Sequence, residues 1–222
     1  MTASAWIAFV CAAVTVGLAV FALWRDSRSF VHRVFAAGMA LFALEAALAG
    51  LAYRALFPDD LLVWHGVRMM VASLLPAVWL LFSVSFARTN YREQVAKWKW
   101  VLVLAFVLPV SLFIFFSDAF FVDSPILTGP ASHFIRVGWS GYLWHLLWVI
   151  LSVLILMNLE QTFRHATGHM RWQTKFMFLG IGGLFGVHLF TESQAVLFRG
   201  IDTGMDVVDL GALLVADLLI LR

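Results

Sequence analysis

Asn158–Phe198 reads NLEQTFRHATGHMRWQTKFMFLGIGGLFGVHLFTESQAVLF, and its two halves set the terms for the whole chain. The first half is the end of an apolar helix. Glu160 and Arg164 stand four residues apart, so they share a helical face and can pair at a water boundary. Gly168 supplies a backbone suited to closing that helix, and Arg171 and Lys175 mark the foot of the next one. Phe176–Phe198 then runs for 23 residues, enough to cross a bilayer with some tilt. His188 and Glu192 lie inside this run, one turn apart. Lipid would make both expensive, so they must face protein or water.

The remainder of the chain has the same character. Of its 222 residues 63% are hydrophobic and 13% charged, and mean hydropathy is +0.93. This describes an integral membrane protein. Seven apolar segments can be counted by window as spans: about 5–24, 34–56, 61–87, 101–116, 141–159, 176–198 and 207–221. The reading is a single all-α, seven-transmembrane helix bundle over residues 1–222. Pro76 is expected to kink the third span. The single cysteine, Cys11, falls in the first span; it reads as a small apolar filler and permits no intrachain disulfide.

Lysine and arginine fix the expected orientation. The links after spans one, three and five, together with the C-terminus, hold Arg25, Arg28, Arg33, Arg88, Arg92, Lys97, Lys99, Arg164, Arg171, Lys175 and Arg222. The opposite links hold only Arg54, Arg136 and Arg199. Eleven against three places the N-terminus outside and the C-terminus in the cytoplasm. The pI of 9.0 therefore reflects orientation and gives no case for nucleic-acid binding. In the outer link between spans four and five, the apolar runs Ala119–Val122 and Phe134–Val137 flank Pro125, Gly129 and Pro130. They predict a short β-hairpin, with an irregular loop as the alternative.

The polar residues within the spans form the candidate site. Counted at 1.5 Å per residue, Glu45 and His188 lie roughly 15 Å deep, and Arg68 and Glu192 about 10 Å below the outer surface. The expected layers are thus Glu45 with His188, and Arg68 with Glu192. His65, His145 and Asp209 sit above them, with Trp64 and Trp144 on the same helices. An arginine and a glutamate at one depth are natural partners. Two readings stay open: an aromatic-lined ligand pocket facing outward, or a polar clasp that fixes the bundle. Gly182 and Gly186 match the small-residue packing motif, either within the bundle or at a dimer face. The aromatic residues are expected mainly toward lipid and the interfaces. Toward the cytoplasm, Glu160, Arg164, Arg171 and Asp217 stand where a signal would leave.

Several chemistries lack their residues. No lysine occurs inside a span, so a retinal Schiff base has no attachment point. His188 and Glu192 supply only two of the ligands a metal would need, and two levels of paired histidines for haem are not evident. Walker, serine-elbow and kinase motifs are absent from the sequence, and no cofactor is expected. The alternatives carried forward are a small membrane enzyme or haem/metal protein using the outer histidines, and a transporter.

LEQTFRHATGHMRW, QTKFMFLGIGGLF and TESQAVLF resemble the fifth-to-sixth-helix region of the seven-transmembrane sensory domain of bacterial histidine kinases, closest to those of PEP-CTERM/exosortase systems. The similarity is sharpest over Asn158–Phe198 and only helix by helix elsewhere. The resemblance implies a multi-pass inner-membrane sensor of an extracytoplasmic or membrane-borne signal, passed through the last two spans to a cytoplasmic kinase. It also implies homodimerisation through that kinase and a cognate response regulator, with membrane lipid and a small or lipid-like ligand as further partners. No catalysis is needed within this stretch.

Overall fold

In lipid every backbone N–H and C=O must be satisfied within its own segment, so the apolar runs fold as helices. The computed structural model describes residues 3–55, 58–86, 90–122, 134–165 and 168–222, the side chains of 58, 59 and 168–173 excepted. Among them the order is α1 (Ala3–Arg25), α2 (Phe30–Ala52), α3 (Pro58–Ala72), α4 (Leu75–Ser85), α5 (Tyr91–Phe115), β1 (Phe134–Arg136), α6 (Trp139–His165), α7 (Gly168–Phe198), β2 (Gly200–Asp202) and α8 (Asp206–Ile220). Six helical segments are long and apolar enough to cross a membrane, with α3 and α4 counted together over Asp60–Ser85. The 15-residue α8 is the seventh rod. The chain is an all-α seven-transmembrane bundle.

The helices overrun the apolar windows at one end. α5 begins ten residues before Val101, α6 continues six residues past Leu159, and α7 starts eight residues before Phe176. Hydrophobic thickness limits the apolar run but does not limit the helix, which continues into the interface. The third span is the exception, since it divides between α3 and α4. Pro76, in the first turn of α4, has no N–H for Ala72, and Ser73 N–H and Leu74 N–H turn the chain by bonding Met69 and Val71 carbonyls.

Packing runs in a closed circuit: α1 on α2, α2 on α3 and α4, α4 on α6, α6 on α7, α7 on α8, and α8 back on α1. α5 lies outside this circuit against α4 and α6. Inside it sits an aromatic core, built from a minority of the chain's rings. The fully buried Trp79 meets Phe35, Phe42, Phe82 and Phe185 at centroid distances of 5.4–5.9 Å. Each such pair adds about 0.5–1.5 kcal/mol beyond area burial. Gly38 makes room for it: a Cβ there would stand 2.8 Å from the Trp79 ring. A Cβ added at Gly182 or Gly186 would meet nothing within 4 Å among the described residues. The close approach of α7 to α8 occurs at Gly180, whose added Cβ would meet the Ala216 carbonyl at 3.0 Å.

At one end the bundle carries a ribbon. β1 pairs antiparallel with β2, in the register Phe134–Asp202, Ile135–Ile201 and Arg136–Gly200. The run Phe134–Val137 therefore pairs chiefly with the link after α7. It meets the earlier apolar run at one bridge, Phe121–Val137, supported by Val122 N–H to the Arg136 carbonyl at 3.2 Å and Gly138 N–H to the Phe120 carbonyl at 2.8 Å. The expected turn, containing Pro125, Gly129 and Pro130, lies outside the described residues. Arg199 takes a left-handed conformation (φ 49°) where α7 ends and β2 begins. The opposite end receives the basic termini of the helices and is the basic end.

Candidate functional site

Beneath the ribbon, side chains of α2, α3, α6, α7 and α8 enclose a cleft of about 180 Å3. Its centre is Arg68 on α3. Arg68 Nη1 lies 2.7 Å from Asp206 Oδ1, while Nε and Nη2 each lie 3.2 Å from Glu45 Oε1. All three side chains are nearly enclosed, with 10–13% of their surface exposed. The guanidinium therefore ties three helices together. A buried cation with two carboxylate partners and charge-assisted hydrogen bonds answers much of its own desolvation cost.

The expected pairing of Arg68 with Glu192 is corrected. Both line the cleft, but Glu192 on α7 is bonded to His145 Nδ1 on α6. Glu45 likewise pairs with Arg68 and leaves His188 to α8. The reason is vertical register: α2 ends at Ala52, four residues earlier than the apolar window suggested. Glu45 is thus only about 10 Å from that end of its helix, level with Arg68. The second partner, Asp206, falls just before the expected span 207–221 and is the first residue of α8, 7% exposed. A signal for it existed. Asp206 and Asp209 are three apart at the start of an apolar run, and acidic residues favour a helix N-terminus and share a face at that spacing.

His188 packs its ring flat on Phe42, with centroids 5.6 Å apart and planes 2° apart, and lies 5.6 Å from Trp148. Its Nδ1 is 3.5 Å from Asp209 Oδ1, which also accepts the Thr191 hydroxyl at 3.1 Å. Trp144 donates its indole N–H to the Ser73 hydroxyl at 2.8 Å, fixing α6 against the joint between α3 and α4. His65, 2% exposed, lines the cleft and has no hydrogen-bond partner among the described residues. His145 uses Nδ1 for Glu192, and its buried Nε2 has none. Trp64 is half-buried and does not line the cleft, whereas Trp148, Thr191 and Asp202 do. One guanidinium in the lining faces five carboxylates: Glu45, Glu192, Asp202, Asp206 and Asp209. Among the described residues no three metal-ligating groups cluster closely enough to hold an ion.

The residues expected at the signal exit separate into two environments. Glu160 and Arg164 form an exposed i,i+4 pair, 58% and 74% exposed, of the kind that contributes little to stability. Arg171 falls among side chains outside the described residues. Asp217, expected at the signal exit, is fully buried between α8 and α1. It accepts the Thr15 hydroxyl at 2.6 Å through Oδ2, while Oδ1 has no partner. The physical reason is phase: residues 206, 209, 213 and 217 are spaced 3, 4 and 4 apart, so they fall on one stripe of α8, turned toward the bundle. Cys11 is buried beside this contact and directs its Sγ to the Leu210 carbonyl at 3.6 Å.

Neither curated proteins nor solved structures give a match to this chain. A family match does cover nearly all of it, from residue 7 to residue 217, and the family is described as the N-terminal 7TM region of histidine kinase. With the seven-rod bundle already in view, the assignment follows: this chain is a multi-pass membrane protein that belongs to the N-terminal seven-transmembrane sensor regions of histidine kinases.

Proposed function

We propose that the cleft beneath the ribbon is the signal-input site of a two-component histidine kinase, facing the extracytoplasmic side of a bacterial inner membrane. The observation that carries this reading is the Glu45–Arg68–Asp206 clamp, because it ties the first residue of the last helix to two others at the cleft wall. α8 is attached by carboxylates at two further points, Asp209 to α7 and Asp217 to α1. An occupant that competes for Arg68 or for Asp209 changes the free energy of one α8 position relative to another. Such a difference is what a ligand needs in order to shift a conformational equilibrium. α7 and α8 then carry the shift to the basic end, in the cytoplasm, where a dimeric kinase and its response regulator read it. The excess of lysine and arginine at that end supports the orientation.

The test uses the full-length kinase in cells carrying a reporter driven by its response regulator. Asp206→Asn and Arg68→Gln are expected to shift basal output or abolish the response, while Glu160→Gln behaves as the parent. Parental output from both cleft variants, at parental protein level, overturns the reading. A reporter fusion after Arg222 checks the orientation: activity of an extracytoplasmic reporter there would reverse it.

A further inference from the structure

We infer that the cleft binds a small organic ammonium ion carrying an aromatic or similarly apolar body. This inference rests on the proposed role of the cleft as input site. The first ground is charge. Five carboxylates line the cleft against a single arginine, and Glu45 and Asp206 between them contact all three nitrogens of that guanidinium. Glu192 and Asp209 remain with only histidine and threonine partners. One oxygen of each, Glu192 Oε1 and Asp209 Oδ2, receives no hydrogen bond from the described residues. An enclosed site with this excess of acceptors selects a cation and rejects an anion.

The second ground is independent of the acidic residues. His145, 3% exposed, lines the same cleft and leaves its buried Nε2 without a hydrogen-bond partner among the described residues. Buried polar groups are ordinarily satisfied, so an unpartnered imidazole in a cavity wall points to a group that arrives with the ligand. A primary ammonium brings three N–H donors, and two carboxylate oxygens with a neutral imidazole nitrogen supply three acceptors. The third ground is shape. Trp148, Trp144 and Phe198 form the apolar wall, and indole faces attract cations. A volume of about 180 Å3 exceeds the ~150 Å3 cavity that accepts a benzene ring. With no cluster of three metal ligands among the described residues, the geometry favours an organic cation over a metal ion.

The experiment uses the 222-residue chain in lipid nanodiscs and three probes of one shape: phenethylammonium, phenethyl alcohol and phenylacetate. Binding is read by calorimetry and by quenching of tryptophan fluorescence. Phenethylammonium is expected to bind saturably and at least about tenfold more tightly than the alcohol, with no binding of phenylacetate. Asp209→Asn and Glu192→Gln should each weaken it about tenfold, and Glu160→Gln not at all. Equal binding of amine and alcohol, or no binding of the amine, overturns the inference, and this comparison on the parent chain stands even if a variant fails to fold. The outcome is separable from the input-site reading. Cleft variants that alter reporter output without amine binding leave that reading in place; amine binding with parental output from every cleft variant removes it and keeps the ligand class.

Discussion

The fifth and last rods of this bundle invert the usual relation between length and importance. α5 has 25 residues, yet only Ala105 and Pro109 of it are buried. It packs outside the helical circuit and shows Val103, Phe106 and Val107 to lipid, each about half exposed. α8 has 15 residues and is too short to qualify as a span by length. It nonetheless places Asp206, Asp209 and Asp217 against α3, α7 and α1. Lipid and apolar side chains are nearly equivalent partners, so an apolar face gives a rod little preference for one neighbour. A buried carboxylate has few acceptable partners, and so it fixes both rotation and height. Length puts a helix in the membrane; the polar stripe places it in the bundle.

Substitutions can break or sharpen this contrast. The largest effect is expected at the clamp. Arg68→Ala leaves two buried carboxylates facing one another and should destabilise the bundle by about 3–5 kcal/mol, read as a shifted unfolding midpoint in mixed micelles. Asp206→Asn keeps the shape and removes one charge-assisted bond while Glu45 still engages Arg68, so about 1.5–3 kcal/mol is expected from the same titration. At the other end of α8, Thr15→Val removes the donor to Asp217 and should cost about 1–2 kcal/mol. Smallest of all, Phe106→Ala on α5 and Glu160→Gln on α6 should each stay within about 0.5 kcal/mol of the parent. If Phe106→Ala proved as costly as Asp206→Asn, α5 would have a packing partner and the contrast would fail. If Thr15→Val were silent, the stripe on α8 would reduce to its first two carboxylates.

The sequence alone was sufficient for the rods. Apolar windows, the lysine and arginine count, the kink near Pro76 and the presence of charged side chains at depth all follow from sums over neighbouring residues, and such sums need no knowledge of the fold. The members of the site were also largely legible: Glu45, Arg68, His65, Trp144, His145, His188, Glu192 and Asp209 all line the cleft. Their pairing was not. Whether Arg68 meets Glu192 or Asp206 depends on the rotation of three helices about their axes and on where each backbone helix starts and stops. Residue counting carries an error of about one turn, or ~5 Å, in that height, enough to exchange one carboxylate for another. The burial of Asp217 and the pairing of Phe134–Val137 with Gly200–Asp202 were hidden for the same reason. Composition is local and additive, and it determined that a seven-rod membrane bundle with buried charge must exist. The choice of partner for each charge is long-range and geometric, and only the packed structure decided it.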